Sequence, residues 1–138
     1  MTALIFLDTN ILLYSVSRHP AEAEKRRRAV ALLDHGHCAL SVQVLQEFYV
    51  QATRATRADA MTHELASGFV RTWCRFKVQD ITMNVLKDAL RLKQALGFSY
   101  WDCAVIAAAQ ALGCRDLYTE DLSHGQVIDG LTLVNPFR

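Results

Sequence analysis

Ala3-Leu4-Ile5-Phe6-Leu7-Asp8-Thr9-Asn10-Ile11-Leu12-Leu13 sets an apolar run, three polar residues and a second apolar run in sequence. The run from Ala3 to Leu7 is short, continuous and bounded by polar residues, which is the pattern of a buried strand. Ile11, Leu12 and Leu13 then continue as a helix. A strand feeding directly into a helix is a βα unit, and the remaining chain repeats that alternation. Ala21 to Asp34 reads as a helix with Ala29, Leu32 and Leu33 on one side, an Arg26-Arg27-Arg28 cluster, and Gly36 as its stop. Cys38 to Leu40 is the next strand. Ser41 suits the N-cap of a helix in which Val44, Leu45, Phe48, Tyr49 and Ala52 recur at helical spacing as far as about Arg57.

A further helix is predicted over Ala58 to Phe76, a brief strand over Val78 to Ile81, and an amphipathic helix over Asn84 to Leu96 closed by Gly97. Cys103 to Leu112 is almost wholly apolar and is closed by Gly113, so this helix must be buried on most sides. Leu117-Tyr118 and Leu131 to Val134 are the last strands, with Ser123-His124-Gly125 as a loop between them. Strands alternating with helices predict an α/β fold, a mostly parallel sheet covered by helices on both faces. No internal repeat or low-complexity tract interrupts it.

The chain has 138 residues, 51% of them apolar, which is the size and composition of one domain with one core. Lys and Arg number 15 against 14 Asp and Glu, a net charge of +1, so a protein that coats nucleic acid through overall basicity is excluded. Nucleic-acid contacts have to come from local patches: Arg26-Arg27-Arg28, Arg54 with Arg57, and Arg71 with Arg75 are the candidates, and each also suits a solvated helix face. The four cysteines, Cys38, Cys74, Cys103 and Cys114, lack C-x-x-C spacing and indicate neither a disulfide framework nor a zinc site. No apolar run approaches the roughly 20 residues of a membrane span and no secretory leader is legible, so a cytoplasmic location is expected.

In open parallel sheets, functional groups collect at the carboxyl ends of the strands. Asp8 follows the first strand, Asp121 follows Leu117-Tyr118, Asp102 stands at the start of the buried helix, and Glu47 lies at the edge of an apolar helical stripe. Ordinary structural roles are open to each: Asp8 as a helix cap, Asp102 as the acid of a Ser99-Tyr100-Trp101-Asp102 capping box, Glu47 as a surface residue, Asp121 as a turn former. Their conjunction points to chemistry. Clustered carboxylates repel one another and take up protons unless a cation compensates them. All-oxygen donors without organised His or Cys favour Mg²⁺ or Mn²⁺, which suits phosphodiester hydrolysis. His19, His35, His37, His63 and His124 show no ligand or dyad spacing.

Leu7-Asp8-Thr9-Asn10, Gln46-Glu47-Phe48, Tyr100-Trp101-Asp102 and Tyr118-Thr119-Glu120-Asp121-Leu122, in this order, resemble the acidic signature of PIN domains across nearly the whole chain. Ser41 to Phe48 and the ending Thr119 to Gly125 with Asn135-Pro136-Phe137 are particularly similar to VapC toxins of VapBC toxin–antitoxin pairs. The resemblance implies a single PIN domain over residues 1–138 with a three-layer PIN-like fold. It implies Asp8 and Asp102 as main metal ligands, Glu47 as a direct or water-mediated ligand, and Asp121 completing the pocket. Thr9, Asn10 and Thr119 would support them, with capping or turn roles equally open to Asn10 and Thr119; Glu120, beside Asp121, competes with it for the last position. It further implies endoribonuclease action on transfer or ribosomal RNA, a homodimer, and inhibition by a VapB-type antitoxin. Tyr49, Tyr100 and Trp101 are candidates to stack an unpaired base, and equally to fill a core or a dimer interface.

Two other readings compete. A phosphoacceptor receiver domain also gathers acids and Mg²⁺ at strand ends, but it needs paired acids after the first strand and a late Lys, and Asp116 to Phe137 contains no Lys. A PIN-like RNA-binding module that has lost catalysis would lack acids at some of these four positions, and here all four are acidic.

Overall fold

The computed structural model describes residues 3–138. Strand β1 (Ile5–Leu7) runs into α1 (Thr9–Ser15); a 3₁₀ turn (Pro20–Glu22) and α2 (Ala23–Asp34) lead to β2 (Cys38–Ser41). Next come α3 (Val42–Ala52), α4 (His63–Trp73), β3 (Lys77–Gln79), α5 (Met83–Leu96), α6 (Tyr100–Ala111), β4 (Asp116–Tyr118), β5 (Val127–Ile128) and β6 (Leu131–Val134). The sheet order is β3-β2-β1-β4-β6-β5. All pairings are parallel except β5 with β6. The expected α/β fold with a mostly parallel sheet flanked by helices is therefore the observed one.

Crossovers between parallel strands are right-handed. The chain moves from β1 to β2 to β3 in one direction and then returns to β4 on the other side of β1, so α1–α4 cover one face and α5 and α6 the other. The packing agrees: α1 lies on α2 and α3, α3 on α4, and α5 on α6. Phe6, Leu7, Leu40, Leu117 and Leu133 fill the sheet interior, with Phe48 of α3 and Ile106 of α6 pressed against it. Every residue from Cys103 to Ala109 is buried, as the apolar run requires.

Several boundaries differ from expectation, each for a local reason. The first strand begins at Ile5 rather than Ala3. The helix expected over Ala58 to Phe76 spans only His63–Trp73, because Thr62 caps it by accepting from the Leu65 amide at 3.2 Å and the preceding residues run in turns. The helix expected from Ala21 starts at Ala23, after the 3₁₀ turn that Pro20 begins. The strand expected over Val78 to Ile81 is Lys77–Gln79, because the Thr82 hydroxyl caps the next helix through the Val85 amide. The helix expected from Cys103 begins at Tyr100, capped by Ser99. Beyond the Ser123-His124-Gly125 loop lies an unexpected strand, β5, turned back onto β6 through Asp129 and Gly130 at φ 47° and 86°. Asp-Gly is the dipeptide that supplies two consecutive positive φ angles in a two-residue hairpin.

Candidate active site

The order in which strands are added reverses between the parallel neighbours β1 and β4, and in open α/β sheets the crevice at that point, beyond the carboxyl ends of the strands, receives the ligand. Asp8 directly follows β1 and Thr119 directly follows β4. Parallel pairing continues past the strand ends, with the Asp8 amide donating to the Tyr118 carbonyl at 3.1 Å. One Asp8 oxygen caps α1 by accepting from the Thr9 amide at 2.7 Å, and the other accepts from the Thr119 hydroxyl at 2.9 Å. Asp8 is only 7% exposed. Burial pushes its pKa up to about 6; the hydrogen bonds from Thr9 and Thr119 oppose the rise, and the charges of Glu47 and Asp121 add to it.

Glu47 reaches the same place from α3. It accepts from the Thr9 hydroxyl at 3.3 Å and from the Gln43 side-chain amide, one helical turn earlier, at 2.7 Å. Asn10 stitches α1 to the loop after β4: its amide nitrogen donates to Thr119 Oγ1 at 3.3 Å and to Asp121 Oδ2 at 3.1 Å, while its oxygen accepts from the Glu120 amide at 3.3 Å. The Asp121 amide closes the ring by donating to Thr119 Oγ1 at 3.2 Å. Asp102, in the first turn of α6, also borders this place. Asp8, Glu47, Asp102 and Asp121 thus line one cleft of about 140 Å³, with Leu13, Gln51, Trp101 and Val105.

Glu120 is directed elsewhere. Its carboxylate takes the Tyr14 hydroxyl at 2.6 Å and the Lys25 ammonium. Burial acts to raise its pKa, but these two partners outweigh it and hold the group below the usual carboxyl range. Between the neighbours Glu120 and Asp121, it is therefore Asp121 that faces the cleft. The capping box at Ser99 is half formed: Ser99 Oγ accepts from the Asp102 amide at 3.1 Å, but among the described residues the Asp102 carboxylate returns no bond to the Ser99 amide. None of the arginine clusters lines the cleft. Arg27 and Arg28 pair with Glu24, and Arg57 pairs with Asp59. Trp101 is 65% exposed at the rim, whereas Tyr49 is half-buried and bonded to His63. The sequence reading did not single out Gln43 or Gln51; Gln43 precedes Glu47 by four residues, the spacing at which helix side chains meet.

Residues 5–127 match the PIN domain family. This chain belongs to that family. The receiver-domain alternative is thereby excluded. Solved structures repeat the PIN fold at low sequence identity. A toxin–antitoxin complex from Klebsiella pneumoniae is 21% identical, with a TM-score of 0.71 over 96% of this chain and 97% of that one. VapC20 of Mycobacterium tuberculosis, described as a sarcin–ricin loop cleaving toxin, is 18% identical, with a TM-score of 0.65 over 82% and 86%. VapBC2 of Rickettsia felis, bound to a DNA fragment from its promoter, is 20% identical, with a TM-score of 0.66 over 94% and 96%. A search of curated proteins gives no match.

Whether the PIN-domain cleft suits a divalent cation is decided by its donors. Among the described residues, no three His, Cys, Asp or Glu side chains form a ready cage. Mg²⁺ does not require one, since it commonly takes one or two carboxylates and keeps several waters. The donors here are all oxygens, and among the described residues no Lys or Arg lines the cleft to balance them. A buried carboxyl raised toward neutrality by burial and like charge is a group that a cation would return to its ionised form. These all-oxygen donors are of the kind that a hydrated Mg²⁺ or Mn²⁺ takes. Among the described residues no helix is long and apolar enough to cross a membrane.

Proposed function

We propose that this chain is a metal-dependent endoribonuclease, a single PIN domain over residues 1–138 acting as the VapC-type toxin of a toxin–antitoxin pair in the cytoplasm. The observation that carries this reading is the buried, uncompensated Asp8 carboxyl facing Glu47, Asp102 and Asp121 across one cleft at the sheet's switch point. Its support comes from membership of the PIN family and from the shared fold of toxin–antitoxin complexes. Mg²⁺ or Mn²⁺, when bound, would polarise a phosphodiester and lower the pKa of an attacking water. Asp8 and Asp102 would hold it directly, Glu47 directly or through water, and Asp121 from the loop after β4. Thr9 orients both Asp8 and Glu47; Thr119 and Asn10 fix the second oxygen of Asp8 and the position of Asp121. The substrate class is transfer or ribosomal RNA. The partners are a VapB-type antitoxin and a second copy of this chain.

Asp8→Asn tests the assignment. Loss of one directly bound carboxylate should lower cleavage by roughly 10²-fold or more, since even changes around metal ligands cost about 10- to 100-fold. EDTA should stop the wild type, and Mg²⁺ or Mn²⁺ should restore it. A folded Asp8→Asn protein that cuts RNA at the wild-type rate would overturn the site, and a wild type without Mg²⁺-dependent cleavage would leave the RNA-binding module in its place.

A further inference from the structure

Glu120 stands between two residues of the proposed nuclease site and belongs to neither side of it. Its backbone amide donates to Oδ1 of Asn10, a residue that borders the cleft, at 3.3 Å. Its carboxylate faces away and uses both oxygens, one for the Tyr14 hydroxyl at 2.6 Å and one for Lys25. The Lys25 ammonium also donates to Tyr14 Oη at 3.3 Å and lies 4.8 Å from the Tyr14 ring centroid and 5.5 Å from that of Phe137. Tyr14 and Phe137 meet edge to face with centroids 5.0 Å apart. The residue is thus gripped at both ends, and four parts of the chain converge on it: α1, α2, the loop after β4 and the C-terminal segment. An isolated exposed ion pair contributes little. Here the carboxylate is only 26% exposed and its pairing is shared with a hydroxyl and two aromatic faces.

We propose that Lys25, Tyr14 and Glu120 form a latch that positions the Thr119–Asp121 loop, and through it Asp8 and Asp121, for metal binding and cleavage. These are positioning residues; none of them lines the cleft. The link is short. Glu120 is covalently between Thr119, which bonds Asp8, and Asp121, which bonds Asn10, so releasing its side chain frees the loop that sets both distances. A displacement of about 1 Å at a reacting centre can cost around 10²-fold in rate. The inference rests on the nuclease reading and deepens it.

The test uses Lys25→Met, Glu120→Gln and Tyr14→Phe in the full chain, with Mn²⁺ affinity of the RNA-free protein read by electron paramagnetic resonance and RNA cleavage resolved into kcat and KM. Lys25→Met and Glu120→Gln should each weaken Mn²⁺ binding and lower kcat by about 10-fold, with KM little changed, in the range seen for residues that orient metal ligands. The double variant should be no worse than either single one, because both remove the same link. Tyr14→Phe, which keeps the ring, should show a smaller loss in the same direction and decides the matter if either other variant does not fold. Mn²⁺ affinity and kcat equal to wild type, with only the melting temperature lowered, would reduce the latch to a structural tie and overturn the proposal. Asp8→Asn separates the two levels: if it loses Mn²⁺ while the latch variants retain it, the latch alone falls. If Asp8→Asn also binds Mn²⁺ as wild type does, the site falls and takes the latch with it.

Discussion

One oxygen of Asp8 caps α1 and the other takes the Thr119 hydroxyl, so the group that anchors the proposed chemistry is also built into the fold. Its carboxyl titrates near pH 6 when folded, against an ordinary value of 3.8. A raised value means that the folded state favours the neutral acid; this stabilising contribution is whole below about pH 3.8 and is lost as the pH rises to about 6. At 1.36 kcal/mol per unit the change is on the order of 3 kcal/mol. In EDTA, the wild type should therefore lose stability relative to Asp8→Asn between about pH 4 and 6, whatever constant offset the substitution brings. Urea melts across that window check it, and parallel curves for the two proteins would remove the argument. With Mg²⁺ added the loss across this window should shrink, because a cation stabilises the ionised form and lowers the pH at which the folded carboxyl ionises. At this scale the sequence was informative about residue type and poor about direction. Asp8 was legible from its place after an apolar run, but only side-chain geometry sends Glu120 to Lys25 and leaves Asp121 at the cleft.

Helix starts carry much of the order among the elements, since Asp8, Ser41, Thr62, Thr82 and Ser99 each accept a backbone N–H at the head of a helix. Ser99 and Asp102 separate capping from function within a single turn of α6. The Ser99 hydroxyl accepts from the Asp102 amide, whereas the Asp102 carboxylate makes no hydrogen bond among the described residues and borders the cleft. Ser99→Ala should cost about 1 kcal/mol of stability and keep cleavage. Asp102→Asn should change stability by no more than about 1 kcal/mol, the scale of a helix-dipole contact, and lose cleavage. Mg²⁺ should raise the melting temperature of Ser99→Ala as it does that of the wild type, and raise that of Asp102→Asn much less. An equal shift in all three proteins would leave Asp102 a structural residue. Ser41 and Ser99 are legible as caps from residue type and spacing, whereas Thr62 lies inside the helix expected over Ala58 to Phe76, and turns prevail before it. The β5–β6 hairpin was announced by Asp129-Gly130 and overlooked because Val127-Ile128 is too short to show alternation.

Across the whole molecule, alternation of strands and helices made a covered parallel sheet legible, but no local pattern states that β1 and β4 are neighbours. That adjacency alone brings Asp8 against Thr119, 111 residues away. Three exposed apolar side chains gather at one place beside that junction. Ile81, Met83 and Trp101 are 63%, 64% and 65% exposed and line one hollow of about 420 Å³ with Leu86 and Tyr100. Trp101 also borders the acidic cleft, so a copy seated in the hollow would lie beside that cleft. An isologous contact on this face is the expected origin of the proposed homodimer, since exposed apolar groups clustered at one place mark association surfaces. Met83→Glu is the informative change: residue 83 opens α5, where a negative charge suits the helix dipole, so the fold should tolerate it while the apolar contact does not. Sedimentation of the wild type at tens of micromolar should give twice the 15.5 kDa chain mass, and that of Met83→Glu the chain mass alone, with unchanged helical circular dichroism. A wild type that sediments as a monomer, or a Met83→Glu protein that remains a dimer, would place any self-association on another face.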